Sequence, residues 1–322
     1  MSMALLQRQM LKLMVVGVAA FAAVIAIPIK VLSVQPNTAV DGSGMNLWQS
    51  FGLGIIQGLT EFLPISSTAH LKVVPVVLGW GDPGIAYTAV IQLGSLAAVL
   101  WYFWKDLGQI VTGTIKAIAN SDYDSREFGT ALGIFLGTIP ILFFGLLIKL
   151  FYPGYDNSPL RSLAAIAVYS IVMSCLLGLA EIFGKRKRKF NEPTVKDGIL
   201  MGLAQTLALF PGVSRSGSTL TAGLFLGLQR AKAARFSFLL SIPAIAISGL
   251  VELKDALEAG LGNAGILNLI VAVVSSAIFS YLAIAWLLRF LQTQDTWIFV
   301  WYRLAFGAAI LAAIGFGVLT NV

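Results

Sequence analysis

Glu61, Ser66, Ser67, Thr68 and His70 fall within ten consecutive positions, and Ser214, Arg215, Ser216, Ser218 and Thr219 fall within six. The first group belongs to the string Gln57-Gly58-Leu59-Thr60-Glu61-Phe62-Leu63-Pro64-Ile65-Ser66-Ser67-Thr68-Ala69-His70. The second belongs to Pro211-Gly212-Val213-Ser214-Arg215-Ser216-Gly217-Ser218-Thr219. Apolar sequence flanks both strings, and His70 is the only histidine in the chain. A carboxylate, a guanidinium and several hydroxyls at bilayer depth are costly, so their presence there marks a functional site.

Gln57 and Glu61 are four apart and share a face if the segment is helical. Such a glutamate has three duties open to it: general base, partner of a cation or arginine, or metal ligand. Pro64 stops the helix. If helix resumes at Ser66, then Ser66 and Ser67 lie roughly on the face of His70. A serine beside a histidine is the minimum for an activated hydroxyl nucleophile, and a histidine can shuttle protons. The same Ser-Ser-Thr run is also what a helix N-cap looks like.

In the second string, Pro211-Gly212 makes a turn and Ser214 through Thr219 open a helix. A helix N-terminus offers free N–H groups and a positive dipole end to an anion. Arg215 adds a planar donor fork that matches phosphate oxygens. A pairing of Arg215 with Glu61 is compatible with that role. The expectation is that both strings meet around one phosphate group. No Walker loop is present, Gly212-x-Ser214-x-Ser216 lacks the last glycine of a nucleophile elbow, and no Cys/His spacing suggests zinc.

The elements that must carry these residues follow from composition. Of 322 residues, 57% are hydrophobic and 11% charged, with a net charge of +7. A soluble domain has about 25% charged residues, so the chain reads as an all-α, polytopic membrane helix bundle. No basic face with interleaved aromatics suggests nucleic acid. A spanning helix takes ~20 apolar residues. Runs of that length lie at roughly 13–34, 84–104, 128–151, 161–183, 233–250, 265–291 and 297–320. The stretches 46–80 and 197–229 are interrupted midway by the two polar strings, which reads as two re-entrant, broken helix pairs. The single cysteine, Cys175, is expected to be buried packing.

Basic residues favour the cytoplasmic side. Lys185-Arg186-Lys187-Arg188-Lys189 is therefore expected inside, and Arg230, Lys232 and Arg235 put both ends of the second interrupted stretch on that side. Counting helices back places the first stretch on the outer face. Gly54, Gln57, Leu59, Phe62 and Ser66 recur 148 positions later as Gly202, Gln205, Leu207, Phe210 and Ser214. Three spanning helices separate the strings, so the second copy is expected to be inverted, over repeats at about 46–151 and 197–291, with a site where they meet. Residues 1–45 read as an extension: a signal-anchor helix and a polar linker from Val34 to Gly44. The domain proper is 46–322.

The two strings resemble the undecaprenyl-diphosphate phosphatase family, integral-membrane enzymes linked to bacitracin resistance. The family's first motif corresponds to Gln57, Glu61, Ser66-Ser67-Thr68 and His70, and its second to Pro211, Gly212, Ser214, Arg215, Ser216 and Thr219. Gln57 replaces a carboxylate that the motif also allows. The resemblance covers about residues 46–320 and implies inverted repeats, hydrolysis of undecaprenyl diphosphate in the bacterial plasma membrane, and recycling of the cell-wall lipid carrier. It also implies a divalent cation, Mg²⁺ or Ca²⁺, with Glu61 and Gln57 as its ligands. With residue chemistry added, Glu61, Ser67, His70 and Arg215 are the expected catalytic set. Gln57, Ser66, Thr68, Gly212, Ser214, Ser216 and Thr219 are the expected phosphate-binding set. Ser67 is the expected nucleophile, with direct attack by water as the competing route. Transport or flipping of a polyprenyl phosphate lipid is the alternative function, and a homodimer is compatible with the chain.

Overall fold

The structure, a computed structural model, describes residues 45–155, 158–184, 193–259 and 263–321. The helix expected at 13–34 and the basic run at 185–189 lie outside these. The described residues form eleven α-helices and no strand. They are α1 (Leu47–Thr60), α2 (Ser67–Val77), α3 (Ile85–Tyr102), α4 (Trp104–Ala119), α5 (Arg126–Phe151), α6 (Leu163–Phe183), α7 (Val195–Gln205), α8 (Arg215–Phe225), α9 (Arg230–Ala259), α10 (Asn263–Thr293) and α11 (Trp297–Gly315). In hydrocarbon every backbone polar group needs an internal partner, and a helix satisfies them all within one segment. Six helices, α3, α5, α6, α9, α10 and α11, are long and apolar enough to cross a bilayer.

Their surfaces are arranged for lipid. On α5 the buried positions are Thr130, Gly133, Gly137, Thr138 and Ile141, mostly small or polar. Its large apolar side chains Phe135, Phe143 and Phe151 face outward. Lipid tails are as apolar as leucine, so helices associate through close packing of small residues rather than through burial of large ones. Gly198 and Gly202 of α7 lie against the backbone of Gly133 and Gly137, and a Cβ at Gly202 would collide with Gly137. In the same way Gly54 of α1 lies against Ala272 and Ser275 of α10. The short helices α1 and α7 are thus seated on long helices from the opposite half of the chain. Cys175 is exposed on α6, not buried as the sequence suggested. An apolar run on a lipid-facing helix is no guide to burial in protein.

The two interrupted stretches are each a pair of short helices around a break. α1 has 14 residues and α2 has 11. α7 and α8 have 11 each, with a 3-10 turn at Thr206–Leu209 between them. Eleven residues span about 16 Å, too little to cross a hydrocarbon core of about 30 Å. Both pairs begin with a capping box, Asn46 with Gln49 and Thr194 with Asp197. Both end on a left-handed glycine, Gly79 at φ 71° and Gly227 at φ 83°, where only glycine avoids a Cβ penalty.

Helix α4 answers to no expected span. Lys105, Asp106, Gln109 and Lys116 interrupt its apolar residues, and only Ala117 is buried. An ion pair from Arg235 of α9 to Asp106 ties down its start.

Candidate active site

Each break is built around a serine in a conformation that L-residues rarely adopt. Ser66 has φ 74°, ψ 98°, and Ser214 has φ 74°, ψ 115°. Non-glycine residues at positive φ carry strain that the surrounding structure must hold, and such residues gather at functional sites. Each serine caps the helix that follows: Ser66 Oγ accepts from the Ala69 N–H and Ser214 Oγ from the Gly217 N–H at 3.1 Å. In the first break Phe62 is wedged edge-on against Phe238 of α9, with ring centroids 5.0 Å apart.

The breaks bring Glu61, Ser67 and Arg215 together. Glu61 is buried, and its Oε2 accepts from Ser67 Oγ at 2.7 Å and from Gln57 Nε2 at 2.8 Å. Its Oε1 accepts from the Arg215 guanidinium in an ion pair between residues 154 positions apart. A second link joins the strings directly, from Ser216 Oγ to the Leu63 carbonyl at 2.9 Å. Gln57 donates onward to Ser95 Oγ at 3.3 Å, and Ser95 contacts Ser276 and Ser280 of α10 at 3.1 and 2.8 Å. A carboxylate bonded to a serine hydroxyl is a base already facing a nucleophile. A guanidinium such as the one beside them is of a kind that can give charge-assisted hydrogen bonds to phosphate oxygens.

A sequence comparison decides the family. The profile described as "Bacitracin resistance protein BacA" matches residues 50–309, most of the chain. The chain belongs to this family. It is 64% identical over 306 residues to an undecaprenyl-diphosphatase of Nostoc sp., covering 95% of this chain and 96% of the relative. It is 62% identical to an undecaprenyl-diphosphatase of Trichormus variabilis, covering 99% of this chain and all of the relative. A Synechocystis sp. undecaprenyl-diphosphatase is 64% identical over 285 residues, covering 88% of this chain and 87% of the relative.

The remaining residues of the BacA-family motifs have varied placements. His70 does not bond Ser67. Its Nδ1 lies 2.7 Å from the Ser66 carbonyl and its Nε2 lies 2.6 Å from Tyr302 Oη. A carbonyl only accepts, so Nδ1 carries a proton, and Nε2 is left to the tyrosine. The imidazole is stacked on Phe306, centroids 4.4 Å apart. Thr68 is half-buried and makes no side-chain hydrogen bond among the described residues. Gly212, at φ 96°, sits where a Cβ would meet the Ile166 carbonyl, so it serves the turn through its backbone. Ser214 and Ser216 hydroxyls lie 3.2 Å apart. Thr219 Oγ1 donates to the Arg215 carbonyl at 2.8 Å and contacts Ser237 Oγ of α9.

Three groups around these residues went unforeseen. Tyr302, Arg303 and the Ser95–Ser276–Ser280 cluster all lie inside spanning helices. Arg303 carried a signal, since it stands alone in an apolar run where a charge is expensive. The serines carried none, because a lone serine in a helix usually bonds its own backbone.

For a divalent cation, the donors at hand are few. No group of three or more acidic, histidine or cysteine side chains is clustered among the described residues. The buried Gln57 Oε1 has no hydrogen-bond partner, while the Nε2 of the same amide meets Glu61. One carboxylate plus one amide oxygen suits a cation that takes its other ligands from phosphate and water, as Mg²⁺ does.

Proposed function

We propose that this protein is an integral-membrane phosphatase that hydrolyses undecaprenyl diphosphate to undecaprenyl phosphate and inorganic phosphate. The observation that carries the reading is the buried convergence of Ser67 and Arg215 on one carboxylate, Glu61. Family membership and the named activity of the relatives support it.

Phosphoryl transfer needs mainly positioning and charge stabilisation. In the route we favour, Ser67 Oγ attacks the terminal phosphorus while its proton passes to Glu61 Oε2. The bond from that phosphorus to the bridging oxygen breaks, and undecaprenyl phosphate leaves. Water then attacks the phosphoserine, inorganic phosphate departs, and Ser67 regains a proton. Arg215 and the backbone N–H groups at the start of α8 hold the phosphate oxygens, and Ser214 and Ser216 shape that start by capping α8 and by bonding the Leu63 carbonyl. Glu61 and Gln57 Oε1 would hold a divalent cation, which would neutralise phosphate charge. His70 clamps the strained Ser66 through its carbonyl and exchanges a proton with Tyr302, away from the attacking hydroxyl.

The re-entrant arrangement and the inverted repeat belong to this reading. They are supported by the 148-position spacing of Ser66 and Ser214, which share φ 74° and the same capping role. The capping boxes and terminal glycines of the two helix pairs keep the same spacing. Residues 46–322 then form one catalytic domain of a plasma-membrane protein, with the 185–189 loop in the cytoplasm. The matched breaks are also the one observation that favours a lipid translocator. Phosphate release from undecaprenyl diphosphate in detergent micelles, which have no sides, separates the readings. Product is expected; bound lipid without product would leave translocation standing instead.

A further inference from the structure

Arg303, in the middle of α11, is wholly buried. Among the described residues it pairs with no carboxylate. A guanidinium carries its charge at neutral pH, and a buried, unpaired charge is tolerated only when hydrogen bonds surround it. Here those bonds go to carbonyls. Nη1 donates to Pro64 at 3.0 Å, Nη2 to Gly212 at 2.8 Å and Val213 at 3.0 Å, and Nε to Ser170 at 3.3 Å.

The first three carbonyls belong to the two breaks, where no helix ladder supplies N–H partners. One side chain on α11 therefore ties the first break to the second, and both to α6. Gly217 of α8 leaves room for it, since a Cβ there would lie 2.8 Å from Nη1. Ser67 follows Pro64 by three positions and Arg215 follows Val213 by two. The anchored carbonyls thus set where the hydroxyl and the phosphate-binding fork stand relative to each other.

We propose that Arg303 is a positioning residue for phosphoryl transfer: by donating to Pro64, Gly212 and Val213 together, it holds the two breaks at the separation the reaction needs. This rests on the phosphatase reading above. Only a planar fork reaches carbonyls from both breaks at once, so lysine should restore the function partly and methionine not at all.

The test uses the full-length protein in micelles. Arg303→Met should lower kcat by about 100-fold, the scale of a 1 Å misplacement, while KM changes little. Arg303→Lys should fall between it and wild type. Leu287→Ala, buried in α10 and outside both breaks, controls for stability loss. Amide exchange should rise in residues 62–68 and 212–216 together in Arg303→Lys. An unchanged kcat in Arg303→Met, or a loss no larger than that of Leu287→Ala at matched thermal stability, would overturn the proposal, as would exchange confined to one break. If Arg303→Met does not accumulate, Arg303→Lys decides alone. Wild-type protein that releases no phosphate would sink the phosphatase reading instead, and the exchange measurement would then decide only whether Arg303 ties the two breaks together.

Discussion

Ser67 donates to Glu61 Oε2 at 2.7 Å across a helix break, not along a helix face. The break folds the chain back so that a hydroxyl at the start of α2 meets a carboxylate just past the end of α1. Six positions of continuous helix would put these two side chains on different faces.

On the proposed route, that contact makes Glu61 the group that takes the Ser67 proton. Loss of a positioned base costs typically 10²–10⁴-fold in rate, so Glu61→Gln should lower kcat by about that factor. Ser67→Ala should abolish turnover, and acid quenching of wild-type reactions should trap phosphoserine at position 67. Full activity in Ser67→Ala would leave water as the nucleophile.

Arg215 presents the opposite case, a charge that pairs with Glu61 and, in the proposed reaction, also holds substrate. Its partner Glu61 is buried, and removing one member of a buried pair leaves the other uncompensated, at a cost of about 3–5 kcal/mol. Arg215→Ala should therefore lower both stability and kcat. Arg215→Lys should recover most of the stability and little of the kcat, because a point charge cannot copy the fork. Chemical denaturation alongside steady-state kinetics measures both. Equal recovery of both quantities would mean that Arg215 serves only as the counter-ion.

Much of this was readable from residue types. The six spans were visible because each is a long apolar run, and Glu61 and Arg215 were visible because a charge in such sequence needs a partner. The break at Ser66 was visible through Pro64. The Tyr302–His70 contact was not, because it joins residues 232 positions apart, and no local pattern encodes such a pairing. Helix α4 was missed because its charges hide an apolar face, and Cys175 because apolar sequence does not distinguish lipid from protein as a neighbour.

Tyr302 can be tested on its own. Tyr302→Phe removes the hydroxyl facing His70 Nε2 and keeps the ring beside Phe306. A lost neutral hydrogen bond is worth about 1 kcal/mol, so a small fall in stability is expected. A several-fold fall in kcat should accompany it if the His70 proton matters to turnover. A stability change with kcat intact would confine His70 to clamping Ser66.

The glycine contacts set the seat of the second break. Gly202→Ala should destabilise by about 1–3 kcal/mol, the usual cost of overpacking, because the added methyl would fall on the Gly137 backbone. Gly129→Ala in α5 meets nothing within 4 Å and should be neutral or stabilising by up to about 1 kcal/mol, the helix preference of alanine over glycine. Denaturation midpoints in detergent would reveal the contrast. Equal effects would mean that α7 does not approach α5 this closely.

Gln57 offers a test of the proposed cation that does not rely on turnover. Its Nε2 donates to Glu61 Oε2 while its Oε1 has no partner. Gln57→Glu exchanges that donor for an acceptor and sets two carboxylates side by side, which repel unless a cation lies between them. The variant should therefore be less stable than wild type in EDTA and gain more from added Mg²⁺. Thermal unfolding in detergent with EDTA, Mg²⁺ or Ca²⁺ measures this. Identical responses of the two proteins to all three conditions would place any cation away from Glu61 and Gln57.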